Sequence, residues 1–297
     1  MSAVAWGPGG ARFATGATDG AVATWRADAP SLCDLSNICP AAAPTAYRAS
    51  PHPSARVESL AFLSPAVVAI AGSHLAGAAE SGRDSLVLWD TLQGPSASTG
   101  RGVIAAVDAH EGGATAMTLL PSDVGGAWGG SGCGAAPWPL IATAGRNGDI
   151  AAHDLRMLGG GFSGGERRSG RTVVWRSDVG GGAGHAAAVT SLAIISPPAA
   201  RHRRSGSVLV SGCRDGDIRA WSVETGAHLQ HCAGAHERHT FLAPRGGGSN
   251  VLYMGVGKIL TLDGGALSCG GDGTVKLFRL TPVAFDIAGA GGVGSVD

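Results

Sequence analysis

Three side chains in the second half of the chain have the types of a hydrolytic triad: His185, Ser211 and Asp215. Imidazole can take a proton from a serine hydroxyl, and a carboxylate can orient the imidazole. Asp215-Gly216-Asp217 also offers two carboxylates at calcium-loop spacing. An EF-type loop needs further oxygen ligands and a glutamate at its twelfth position, and the twelfth residue from Asp215 is Gly226. His228, His231, Cys232, His236 and His239 supply zinc donors, but their spacing matches no standard ligand frame. Gly255-Val256-Gly257-Lys258 starts like a phosphate loop. The full frame needs glycine where Leu252 stands and serine or threonine where Ile259 stands.

The surroundings of the apparent triad decide its meaning, because they recur. SGCRDGDIRAW (211–221) returns as TGATDGAVATW (15–25), TAGRNGDIAAH (143–153) and SCGGDGTVKLF (268–278), and in degenerate form as SLVLWDTL (85–92). In the four fuller copies a hydroxyl residue precedes Asp or Asn by four. Glycine follows at once, Val or Ile stands two further on, and a ring residue lies six beyond the Asp or Asn. Short alternating or apolar runs lie upstream of each copy: SAVAW, VESLAF, ATAMTLL, AVTSLAI and KILTL. Period-two patterning bounded by Gly and Asp marks strands joined by tight turns, not helices. A catalytic triad occurs once, whereas a constellation repeated along the chain belongs to the architecture.

With the hairpin bend near Gly216, Ser211 lies roughly opposite Trp221. The serine hydroxyl then meets the indole N–H, which needs a partner when buried. His185 is placed to join that hydroxyl to Asp215, giving a His–Ser–Asp–Trp network. The expected equivalents are Thr15, Asp19 and Trp25 in the first unit, and His110, Thr143 and Asn147 in the third, with His153 in the ring position. In the last unit they are Ser268, Asp272 and Phe278, with His236 as the available histidine. Arg146 and Arg214 precede the turn Asn or Asp, so we expect them on the rim as partner-binding residues. Neither a catalytic nor a metal site is assigned.

These features resemble the WD-repeat signature: Gly184-His185 before a first strand and Trp89-Asp90 at the end of a third. The resemblance implies an all-β WD-repeat β-propeller, with blades near 2–26, 57–92, 110–157, 185–225 and 253–280. Steps between turns exceed the roughly 40–45 residues of a blade. Gly/Ala/Ser/Pro-rich segments at 27–55, 93–109, 122–138, 158–183, 197–206 and 243–250 account for the excess and are expected to be loops. The propeller is expected to span 1–285, with a flexible tail at 286–297. Met1 stands almost on the first strand, so the chain is expected to be a C-terminal piece lacking one or two blades.

HEGGATAM, PLIATAGRNGDIAAHDLRM, VLVSGCRDGDIRAWSVETG, AHERHTF and KILTLDGGALSCGGDGTVKLFRL occur in an order that resembles the C-terminal propeller of the DmX-like (rabconnectin) family. That resemblance implies a non-enzymatic scaffold acting in assembly of the vacuolar-type proton ATPase and in organelle acidification. Its partners would be peripheral-sector and assembly-complex subunits. The alternative is a substrate receptor of a cullin-type ubiquitin ligase, since His153-Asp154-Leu155-Arg156 approximates the Trp-Asp-x-Arg of such receptors.

Bulk composition agrees with an interaction module. Lys plus Arg and Asp plus Glu both number 22, so no net field draws the protein to nucleic acid. The basic runs at 167–168 and 201–204 are short and lack interleaved aromatics, unlike a nucleic-acid-binding face. No apolar run approaches the length of a membrane helix, so direct membrane insertion is not expected. Cys33, Cys39, Cys133, Cys213, Cys232 and Cys269 form no Cys-x-x-Cys pair. Free thiols and a cytoplasmic location, peripheral on endomembranes through partners, are expected.

Overall fold

The computed structural model describes residues 1–27, 44–50, 52–75, 85–93, 102–120, 140–155, 172–177, 184–195, 207–242, 251–262 and 265–279. They form an all-β architecture of antiparallel sheets. The first sheet contains β1 (Ala3–Trp6), β2 (Arg12–Gly16), β3 (Val22–Arg26) and β4 (Ala46–Arg48). The second contains β5 (Arg56–Phe62), β6 (Val67–Ser73), β7 (Leu86–Asp90) and β8 (Val103–Val107). The third contains β9 (Ala114–Leu119), β10 (Leu140–Gly145), β11 (Ile150–Asp154) and β12 (Val173–Arg176). The fourth contains β13 (Val189–Ile195), β14 (Val208–Cys213), β15 (Ile218–Ser222) and β16 (His228–Cys232). A strand pair, β17 (His239–Leu242) and β18 (Val251–Met254), precedes a three-stranded fifth sheet of β19 (Val256–Leu262), β20 (Gly265–Gly270) and β21 (Val275–Arg279).

Strands follow one another in space as in sequence, and neighbouring sheets meet chiefly through their first strands: β1 on β5, β5 on β9, β9 on β13, β13 on β19. This is the blade-by-blade arrangement of a propeller. Each seam has its own apolar cluster. Phe62 and Trp89 lie between blades one and two, and Leu86, Met117 and Ile141 between two and three. Leu192, Leu209 and Trp221 lie between three and four, and Val210, Val256 and Ile259 between four and five. A strand covered on both faces has no polar side, and β6, β10, β14 and β15 are buried along their whole length. The abundant alanine serves this packing: Ala142, Ala144, Ala151 and Ala152 are all buried in the third blade. The outermost sheets alternate instead, leaving Trp6 61% and Leu277 55% exposed.

The structure corrects three of the segments expected to be loops. Each of the first four blades has a fourth strand, and three of these lie in segments expected to be loops: β4 within 27–55, β8 within 93–109 and β12 within 158–183. The fourth, β16, lies beyond the expected end of blade four at 225. Outer strands of three to five residues need only one ladder and little apolar surface, so their sequence pattern is faint. The loops at 122–138, 197–206 and 243–250, the basic runs and the tail at 286–297 lie outside the described residues, as does Arg156. Among the described residues no helix is long and apolar enough to cross a membrane.

Candidate partner-binding rim and the networks behind it

The turn between the second and third strands lies at the same end of each blade as the loop entering the next blade. The β14–β15 turn closes with the Gly216 amide donating to Cys213 O at 3.1 Å. Gly216 has φ +96°, and a Cβ there would overlap the carbonyl oxygen of His236, at the entrance to blade five. Only glycine meets both demands. The His236 amide in turn donates to Gly216 O at 3.0 Å. The same clasp joins blade three to four, where the His185 amide donates to Gly148 O at 3.2 Å.

In blade four Ser211 pairs with Arg219, and Trp221 with Leu209. The hairpin is centred on Asp215 rather than Gly216, and that single-residue difference moves the register by two. Ser211 and Trp221 are therefore diagonal, a separation an indole can span. Trp221 Nε1–H donates to Ser211 Oγ at 2.8 Å, and His185 Nε2 lies 2.7 Å from the same oxygen. Blade one repeats the diagonal, with Trp25 Nε1–H donating to Thr15 Oγ1 at 2.9 Å. Asp19 there accepts from the Ala21 amide of its own turn, at 3.0 Å, and from no histidine among the described residues.

Blade three extends the pattern. A carboxylate only accepts, so His110 Nδ1–H donates to Asp149 at 2.6 Å, and His110 Nε2 accepts from Thr143 Oγ1 at 2.8 Å. Thr143 accepts in turn from His153 Nε2–H at 3.0 Å. The turn residue expected in this place is Asn147, an amide. Its Oδ1 instead accepts from the Asp149 amide at 3.3 Å, and Asp149, two residues on, takes the histidine. Arg176 on β12, a residue with no signal in the repeat, binds Asp149 and donates to Ala109 O at 2.7 Å. Burial pushes the Asp149 carboxyl up, but His110 and Arg176 outweigh it and bring it below its ordinary value. Burial first, then the charges of His110 and Arg176, push His153 down to about 3.

In blade five His236 Nε2 lies 2.6 Å from Ser268 Oγ, and its Nδ1–H donates to Asp272 at 3.0 Å. Phe278 is half-buried and has no polar atom to add. Burial pushes Asp272 up, but hydrogen bonds from His236 and Thr274 bring it below its ordinary value. Blade two links onward differently: Ser85 Oγ accepts from the Ala109 and His110 amides at 2.8 and 3.0 Å.

Blade four departs from its neighbours at the acid. Asp215 Oδ1 accepts from the Asp217 amide at 3.3 Å and makes no hydrogen bond to His185 among the described residues. Asp217 is held by His231 at 2.8 Å and by the Gly234 amide at 2.9 Å. His185 Nδ1 is buried and has no hydrogen-bond partner among the described residues. Burial, followed by the charge of Arg219, pushes His185 down to about 4. Burial pushes the Cys213 thiol up to about 12. The histidines weighed as zinc donors separate accordingly: His231 serves Asp217, His236 serves blade five, and the His239 side chain lies outside the described residues.

Three of the network hydroxyls are shut away from any substrate. Ser211, Thr143 and Ser268 are buried, and each oxygen is already bound to a histidine. What reaches solvent is the rim. Arg214 is exposed, and no hydrogen bond or ion pair is formed by its guanidinium among the described residues. Arg146 is also exposed, but its guanidinium meets Glu58 of blade two at 3.3 Å.

Comparison with known proteins agrees with this geometry. The family model for the WD domain, G-beta repeat, matches residues 181–222, which enclose the His185–Ser211–Trp221 network. No curated protein matches the sequence. Similar solved structures include Chaetomium thermophilum Sqt1 bound to the N-terminus of ribosomal protein L10, at 18% identity and TM-score 0.58 over 94% of this chain and 58% of that one. Sqt1 of the same organism solved by itself gives 18% identity and TM-score 0.56, over 94% of this chain and 60% of that one. The chain thus spans about three-fifths of the structures it resembles.

Proposed function

We propose that this WD-repeat β-propeller is a non-enzymatic protein-interaction platform whose rim, on the face of the Asp-Gly turns, holds protein partners. One observation carries the reading. The side chains with catalytic types are consumed in buried networks that fix the blades, while Arg214, beside the best-formed network, is presented to solvent on a rigid turn. Exposed arginine on a pre-organised surface suits interface contacts, because little freedom is lost on binding.

The finer proposal is that the platform acts in assembly of the vacuolar-type proton ATPase, with peripheral-sector and assembly-complex subunits as partners and a cytoplasmic, endomembrane-associated location. Its support is the ordered set of motifs resembling the DmX-like (rabconnectin) propeller, above all AHERHTF followed by the Cys-Gly-Gly-Asp-Gly blade. The test is re-expression, in cells lacking the full-length protein, of forms with and without residues 1–285. Acidification restored only when the region is present supports the proposal, and restoration without it refutes it. Affinity capture distinguishes the ubiquitin-ligase alternative, which requires recovery of ligase adaptor without proton-pump subunits.

A further inference from the structure

Blade four breaks the repeat at one position, and the break creates a set of donors. The second residue after the network hydroxyl is Gly145 in blade three and Gly270 in blade five. A Cβ at Gly145 would overlap the Asp149 carboxylate, and one at Gly270 would overlap His236 Nδ1. Glycine there leaves room for the histidine–carboxylate bond. Blade four carries Cys213 instead, and in this blade alone of the three the histidine Nδ1 has lost its carboxylate. A ring nitrogen of His185, the Sγ of Cys213 and a carboxylate oxygen of Asp215 lie within 4.8 Å of one another. Among the described residues this is the one place where three such donors converge.

The hydrogen bonds fix the imidazole for coordination. Ser211 Oγ accepts from Trp221 Nε1–H and has Arg219 O at 3.4 Å as an acceptor for its own proton. His185 Nε2–H then donates to Ser211 Oγ, and Nδ1 keeps a bare lone pair. A metal-binding histidine is normally held in this way, by a hydrogen bond from its other ring nitrogen. His185 is 1% exposed, so its ring is shut off from bulk solvent. Asp215, only partly buried, opens the cluster to solvent on the rim side.

We propose that His185 Nδ1, Cys213 Sγ and Asp215 bind a zinc-class divalent cation, which clips the loop entering blade four to the β14–β15 hairpin. One nitrogen, one sulfur and one carboxylate oxygen are the donors zinc takes, with a water completing four-coordination. Metal–ligand bonds of about 2.0–2.3 Å in a tetrahedron place the donor atoms roughly 3.3–3.6 Å apart. Rotation of the Asp215 side chain on its turn supplies the closure. Binding breaks the Cys213 S–H, now donated to Ala187 O at 3.1 Å. The thiolate electron pair goes to the metal and the proton to solvent.

The test is titration of the purified full chain with Co²⁺, a spectroscopic stand-in for Zn²⁺, followed by displacement with Zn²⁺. A thiolate-to-cobalt charge-transfer band saturating at one equivalent is expected. It should vanish in Cys213→Gly, which restores the residue of blades three and five, and in Cys213→Ser, which serves if the glycine variant does not fold. The other five cysteines remain in both. Asp215→Asn should weaken Co²⁺ by at least roughly 10–100-fold, the range for removing even an outer partner of a metal site. No band in the native protein, a band surviving loss of the Cys213 sulfur, or unchanged affinity in Asp215→Asn would each overturn the proposal.

Discussion

Replacing Ser211 by alanine tests whether the buried networks hold the blades. Ser211 Oγ serves two donors, Trp221 Nε1 at 2.8 Å and His185 Nε2 at 2.7 Å, and Trp221 and His185 are 0% and 1% exposed. Alanine leaves both N–H groups unpaired where water cannot reach. At about 1–3 kcal/mol for each of the two orphaned donors, the expected loss is about 2–6 kcal/mol. Thr15→Ala in blade one is the internal control. Trp25 is only half-buried, so water can replace the hydroxyl and the loss should be about 1 kcal/mol. Urea unfolding, with hydrogen exchange of the β13–β15 amides, reads both variants. Trp221→Phe in the Ser211→Ala background removes one orphan, so the double mutant should be more stable than the two single losses add up to, by roughly 0.5–3 kcal/mol. If Ser211→Ala costs no more than Thr15→Ala, or the two changes simply add, the network does not stabilise the blade as argued.

Other outcomes follow from the same geometry. Gly216→Ala should destabilise well beyond Gly273→Ala: both have positive φ, about 1–2 kcal/mol for an L-residue, but only Gly216 also abuts His236 O; thermal unfolding compares them. His185 and His153 are pushed below the ordinary histidine value in the fold, so the unfolded chain binds more protons. Stability is therefore fully present above about pH 6.5 and falls as pH drops toward 4 and then 3. His153→Gln keeps a donor for Thr143 without titrating, and should flatten the stability–pH profile measured by urea titration. Arg146→Ala, which breaks an exposed pair with Glu58, should change stability by less than about 1 kcal/mol, read by urea midpoint.

Much of the blade plan is written in sequence because the turn chemistry is local. Asp or Asn followed by Gly, with a hydroxyl four residues before, marks the β2–β3, β10–β11, β14–β15 and β20–β21 hairpins directly. What the pattern conceals has physical causes. The outer strands β4, β8, β12 and β16 are short and sit against one neighbour, so β8 reads as Val-Ile-Ala-Ala-Val in a glycine-rich stretch. Placing Ser211 opposite Trp221 rests on the bend falling at Gly216, whereas the turn centres on Asp215. Asn147-Gly148-Asp149 holds one carboxylate, at Asp149, but choosing it over the Asn147 amide requires knowing which side chain the β10–β11 turn aims at His110. Arg176 stands on a strand with no repeat signature, and its pairing with Asp149 emerges only in three dimensions. Cys213 is visible as a departure from glycine, but its meaning depends on the crowding at Gly145 and Gly270.

The central claim, a rigid platform that recognises partners through the rim carrying the Asp-Gly turns, is tested most directly by affinity capture with the full chain and its Arg214→Glu variant, with matched thermal unfolding as a folding control. The native chain is expected to recover proton-pump peripheral-sector and assembly subunits, and Arg214→Glu to lose them while unfolding at the same temperature. Equal recovery by the two proteins would contradict it.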